Sequence, residues 1–214
     1  SLHDALPILY TDSKLAMELF PTQPMIYALN AVACLQQEKY DETLKVLSEG
    51  EAYLVENNPL KIQFALYKAE ANYKLDNVEE AFKAFDEVIK LDPDNYLALN
   101  NYDYYLSIRD ENLEKAARMS GRAVQANPQN STYLDTYAWV LFRQKDYKLA
   151  RFYQESALQY GGDQSAEILE HLGDILYRLD EKEKAREYWK KALEVGEGSE
   201  FLKEKINSGN YIEK

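Results

Sequence analysis

Cysteine, glycine, proline and histidine are all scarce in this sequence. A single cysteine, Cys34, excludes an internal disulfide. It lies in the apolar run AVACL, where a buried, inert thiol is expected. Eight glycines and six prolines are too few breakers for a fold of many short strands. No apolar run approaches the roughly 18–20 residues that span a bilayer, so the visible chain is expected to insert no segment into a membrane. Basic residues are the minority charge: 25 Lys and Arg stand against 37 Asp and Glu, giving a net charge of −12 and a pI near 4.7. Such a surface repels phosphate backbones, which excludes nucleic acid as a partner.

Catalytic signals are also missing. No phosphate loop of the G-x-x-x-x-G-K-[ST] type occurs, and no Cys–His or Ser–His–Asp set assembles around a nucleophile. His171 has Glu167 and Asp174 at spacings of four and three on one helix, a geometry in which a metal is conceivable. The reading preferred is a solvated polar helix face. The chain is expected to be no enzyme, with no cofactor and no metal.

What is present is a repeat. KAEANYKLDNVEEAFKAFDEVIKLDPDN (68–95), YAWVLFRQKDYKLARFYQESALQYGGD (137–163) and LGDILYRLDEKEKAREYWKKALEVGEG (172–198) superpose on Ala81, Ala150 and Ala185. Poorer copies supply Ala116 and, by substitution, Thr43, at successive spacings of 38, 35, 34 and 35 residues. Each copy holds two amphipathic stretches of about a dozen residues with apolar positions recurring at three and four. Short polar breaks divide them (LDNVEE, RQKDYK, RLDEKE), and Pro or Gly follows the second stretch (LDPDN, ANPQN, YGGD). Paired antiparallel helices follow from this, each pair too thin to bury its own face and stacked on its neighbours.

This period and pattern resemble the tetratricopeptide repeat, W-x2-L-G-x2-Y, then A-x3-F, then P. In the last copy Leu169, Leu172, Gly173 and Leu176 fill the first helix and Ala185, Trp189 and Ala192 the second. In the fourth copy Leu134, Tyr137, Ala138 and Leu141 precede Ala150 and Ala157, and in the second Ala69 precedes Ala81, Phe85 and Pro93. The small residues let paired helices approach closely. The resemblance covers roughly residues 9–200 and implies an all-α, right-handed superhelical solenoid.

The expected organisation is a half repeat at 9–23, repeats at 24–58, 62–95, 96–130, 131–164 and 166–199, and a capping helix with tail at 200–214. Three departures stand out: Thr43 and Gly50 where alanines are usual, an extra residue near RDENLE, and Asp103 at a small-residue position, which questions the helix register there. The opening SLHDALPI fits no leader. Its reverse translation resembles a sequencing-library adapter, so residues 1–8 are expected to be non-native and the chain a fragment. The style of the repeats is similar to that of bacterial proteins, either cytoplasmic or tethered in the cell envelope through a missing N-terminus.

The resemblance also implies that the first helix of each pair lines a concave groove that takes a peptide or helix of a protein partner. Copy by copy, the partner-binding residues are Tyr73, Lys74, Asn100, Tyr104, Asp135, Trp139, Phe142, Arg143, Glu170, Asp174, Tyr177 and Arg178. Aromatics interspersed with Arg are residue types of binding hot spots. Ala28, Leu66, Asp135 and Glu170 at the inner positions disfavour a chaperone-type carboxylate clamp, so a neutral or basic segment is expected. The alternative is a C-terminal regulatory or docking module of a larger enzyme or cell-envelope protein whose N-terminal part is missing, and a third possibility is a purely structural array whose groove holds a neighbouring segment of its own chain.

Overall fold

A computed structural model describes residues 2–54 and 58–212. Among them the regular structure is entirely helical. Two compact units, residues 1–98 and 99–214, divide the chain. The first holds α1 (Leu2–Leu19), α2 (Pro24–Gln36), α3 (Tyr40–Glu51), α4 (Asn58–Lys74) and α5 (Val78–Leu91). The second holds most of α6 (Tyr96–Ile108), then α7 (Leu113–Ala126), α8 (Ser131–Arg143), α9 (Tyr147–Gln159), α10 (Ala166–Arg178), α11 (Lys182–Val195) and α12 (Leu202–Ser208), with a 3-10 turn at Gly162–Gln164 before α10. Helices pack as pairs, α2 with α3, α4 with α5, α8 with α9 and α10 with α11. First helices of successive pairs also meet, α2 with α4 and α8 with α10.

The pairing rests on small residues at the crossings. Ala31, Ala69 and Ala138 on first helices, and Thr43, Ala81, Ala116, Ala150 and Ala185 on second helices, are all fully buried. Gly50 is the extreme case in the first unit. A Cβ there would lie 2.6 Å from Tyr27 Cβ, so the residue that replaces the usual alanine makes room for the Tyr27 ring. Tyr27, Val46, Leu47, Leu60 and Phe64 form the core around it. Cys34 is buried and its thiol is pushed up to about 11 by burial, as suits an unreactive core sulfur.

One backbone device joins the two helices of every pair. Glu38, Asp76, Asp110, Lys145 and Asp180 each adopt φ between +53° and +67°, at separations of 38, 34, 35 and 35 residues. The amide after each one reaches back to a carbonyl five residues earlier, as in Lys39 N to Cys34 O and Asp146 N to Leu141 O. This is the left-handed helix termination normally given to glycine. The extra residue of the third copy is absorbed at its turn. Asn112 is also left-handed there (φ +43°), and its side chain caps α7 by accepting from Lys115 N.

Asp103 does not disturb the register: α6 runs unbroken through it. The carboxyl is instead fully buried; the Tyr104 amide and Ser120 hydroxyl lie near it, but among the described contacts neither oxygen has a hydrogen bond of good geometry. At the other end, α1 is continuous across the Ile8–Leu9 junction and docks on α3 through Tyr10 and Lys14, which both meet the Glu42 carboxylate at 2.6–2.7 Å. By its sequence the connection before Pro59 is longer than in the other copies, and it includes residues 55–57, which lie outside the described residues.

Candidate functional site

The second unit concentrates its polar chemistry on the face of its first helices. The starting point is α10, an amphipathic helix capped by Ser165, whose side chain accepts from Ile168 N. Its apolar positions Leu169, Leu172 and Leu176 pack into the core with Trp189. The remaining stripe carries Glu167, Glu170, His171 and Asp174. At those spacings the four share one side of the helix. The expectation of a solvated polar face holds only for Glu167, which is exposed, whereas Glu170, His171 and Asp174 are buried.

Burial is tolerated because each charge has a partner. Lys205 of α12 places Nζ 2.8 Å from Glu170 Oε1 and 2.7 Å from Asp174 Oδ2. Asp174 also accepts from Trp189 Nε1 at 2.9 Å. Glu170 accepts the Ser199 amide at 2.8 Å and the Ser199 hydroxyl. That approach requires Gly198, in the left-handed region at φ +62°, because a Cβ would lie 2.8 Å from Glu170 Oε2. Lys205 and Ser199 hold the Glu170 carboxyl below its ordinary value although burial opposes them. Burial pushes Asp174 up to about 6, against the pull of Lys205.

A second network lies one helix pair back. His171 Nδ1 is 2.9 Å from Asp135 Oδ1 on α8, and Gln154 of α9 donates to the same carboxylate and to Ile168 O. Burial opposes charge on His171, but Asp135, with smaller help from Glu167 and Asp174, lifts its value to about 9, so the imidazole is cationic at neutral pH. Its ring stacks on Trp139 at 4.1 Å, and Trp139 stacks in turn on Phe142 at 4.8 Å. Trp139 Nε1 has no hydrogen-bond partner.

These layers floor a cavity of about 440 Å3 lined by α6, α8, α10, α12 and the segments flanking α12. Of the twelve residues expected to bind a partner, Tyr104, Trp139, Arg143, Glu170 and Asp174 line it together. Tyr104 donates to Glu167 Oε1 at 2.9 Å across its mouth. Arg143 forms a two-point pair with Asp110. Asp135, Phe142, Glu170 and Asp174 are buried and engaged by other groups of the same unit, and Asn100 is buried on α6. Tyr177 and Arg178 lie beside the cavity against Tyr211. Tyr73 and Lys74 belong to the first unit, at the end of α4, half-buried and exposed respectively.

Lys205, Ser199, His171 and Tyr211 escaped the sequence reading as members of this site. One signal pointed to Lys205: it sits between Leu202 and Ile206 on the apolar stripe of α12, where a lone cation needs a buried acid opposite it.

The residue-level geometry agrees with what the chain is similar to. Tetratricopeptide repeat family models match residues 166–198 and 35–96. No curated protein sequence matches the chain. Among solved structures, MamA of Desulfovibrio magneticus RS-1 is 19% identical with a TM-score of 0.66, over 80% of this chain and 94% of that one. The pilF protein of Pseudomonas aeruginosa is 17% identical with a TM-score of 0.68, over 87% and 88%. Yeast Tom70 is 16% identical with a TM-score of 0.67, over 94% of this chain and 42% of that one. These likenesses establish a shared helical-repeat fold. No helix among the described residues is long and apolar enough to cross a membrane.

Proposed function

The chain belongs to the tetratricopeptide repeat family, whose members are protein-interaction scaffolds, and from that premise we propose that the first-helix face of its second unit binds a neutral or basic segment of a partner protein. The observation that carries this reading is the charge balance around the cavity. Among the described contacts, the carboxylates Asp135, Glu167, Glu170 and Asp174 stand against the cations Lys205 and His171, while Arg143 is matched by Asp110. Four carboxylates against two cations leave two negative charges in excess, and Glu167 is the exposed carboxylate of the four. A cavity with a surplus negative charge and an aromatic wall of Trp139 and Tyr104 attracts cationic and neutral side chains and repels a carboxylate terminus.

The test is site-specific photo-crosslinking in extract of the source cells, with the reactive group placed at Glu167 or at Phe152 on α9, a second-helix position that is 62% exposed. A protein captured from position 167 and absent from position 152 supports the reading, and Glu167→Lys should then weaken its binding about tenfold. Capture from position 152 alone assigns recognition to the second helices and overturns it.

A further inference from the structure

The segment after α12 turns back onto the face just described. Gly209, at φ +69°, ends the helix. Tyr177 then donates its hydroxyl proton to Asn210 Oδ1 at 3.1 Å. The Tyr211 ring meets Phe142 edge-on at 5.8 Å and lies under the Arg178 guanidinium, whose Cζ is 4.4 Å from the ring centre. Tyr211 and Ile212 both line the cavity. Tyr211 therefore packs against two helix pairs at once, touching α8 and α10.

The manner of attachment separates this segment from α12. α12 is pinned by the buried Lys205. Among the described residues, no backbone–backbone hydrogen bond ties positions 210–212 to α8 or α10. The described contacts that hold it are ring contacts with Phe142 and Tyr177, cation–π contacts of Arg178 and Lys205 with Tyr211, and the Tyr177–Asn210 side-chain hydrogen bond, each a contribution of about 1 kcal/mol. The floor it covers is aromatic and flanked by cations, which favours an electron-rich ring. The face is also polar along its length. Glu167 and Arg178 are eleven residues apart on α10, about 16 Å, the reach of some five extended residues.

We infer that this face is a receptor for a short segment carrying an aromatic residue followed by an aliphatic one, and that the chain's own Tyr211–Ile212 occupies it until such a segment displaces it. This deepens the reading of the face as partner-binding and rests on it. The aromatic pair seats at Phe142, Tyr177 and Arg178, and the same segment continues toward Glu167, where a basic residue fits. A tethered occupant acts at millimolar effective concentration. An affinity near 100 μM for the free segment therefore keeps the site about nine-tenths filled and weakens an incoming segment about tenfold.

The experiment compares the full chain with a chain ending at Ser208, which keeps α12 and Lys205. The probe is a fluorescent peptide of residues 207–214, NSGNYIEK. The shortened chain should bind it about tenfold more tightly than the full chain, and a peptide with alanine in place of its tyrosine should bind at least tenfold more weakly. Equal binding by both chains, or none by either, overturns the inference. Full-length Tyr211→Ala gives a second readout that does not depend on truncation. Trp189 is fully buried, so a rise in acrylamide quenching reports Trp139. At least a twofold rise is expected, and unchanged quenching also overturns it. Loss of the Glu167 crosslink would remove the partner-binding reading itself, whereas an intact crosslink with equal peptide binding removes only the resident occupant.

Discussion

Gly173 and Trp189 are packed so closely that a Cβ on the glycine would lie 2.4 Å from the indole Cδ1 and Nε1. The indole is fixed on its other side, because Nε1 donates to Asp174. It cannot retreat without leaving that buried carboxylate short of a donor. Gly173→Ala is therefore expected to destabilise the second unit by about 3 kcal/mol, the upper range for overpacking. Urea unfolding followed by circular dichroism measures this. In a double-mutant cycle with Trp189→Leu the two losses should be clearly less than additive, and strict additivity would refute the steric account.

Lys205→Met should be more damaging than its single charge suggests. The ammonium is the only cation within bonding distance of both Glu170 and Asp174 among the described contacts. Removing one member of a buried ionic cluster costs about 3–5 kcal/mol. Combining Lys205→Met with Glu170→Gln and Asp174→Asn should recover at least half of the lost stability. Failure to recover would show that Lys205 acts through packing rather than charge.

His171 gives the second unit an alkaline limit. Its folded-state value of about 9 lies above the ordinary 6.5. The stabilisation is complete below about pH 6.5 and is lost as pH rises through about 9. Unfolding free energy should fall by on the order of 2–3 kcal/mol between pH 6.5 and 9.5. His171→Gln, which keeps a donor for Asp135, should flatten that fall. The groups facing the imidazole are Asp135, Glu167 and Asp174. An equal slope in the variant would sink the assignment.

Asp103 works against the fold. Burial pushes its carboxyl well above the ordinary carboxylate value, against the weaker pull of the nearby Tyr104 amide and Ser120 hydroxyl. The penalty is absent below about pH 3.8 and grows as pH rises. Asp103→Ala, the residue type at the corresponding Ala69 and Ala138, should stabilise the second unit by about 1–2 kcal/mol at pH 7 and by much less at pH 4. Thermal unfolding at the two pH values checks both sign and trend.

The fold was legible because its determinants recur. Crossing residues such as Ala81, Ala150 and Ala185 must be small wherever helices approach, so they keep their spacing in the sequence. The site was legible only in part. Periodicity identifies which side of α10 is apolar, but it cannot show that Glu170 and Asp174 on the other side are roofed by α12. That contact spans 31–35 residues and depends on a single lysine. His171 illustrates the same limit: its acid partner Asp135 is one repeat away, at a separation where many carboxylates compete for notice. Asp103 stood out as an anomaly in the repeat, yet only the coordinates distinguish a broken helix from a buried, unpaired acid.

The Lys205 anchor also gives the array a sense of position. Hydrophobic stacking between near-equivalent helix pairs is forgiving, and an apolar terminal helix would sit on any of them. One repeat back, the sites equivalent to Glu170 and Asp174 are Asp135 and Trp139; two back, they are Asn100 and Tyr104. Only the last pair presents two carboxylates. The ammonium of α12 thus works as an address label, matching the terminal helix to one pair and disfavouring a slip by a whole repeat.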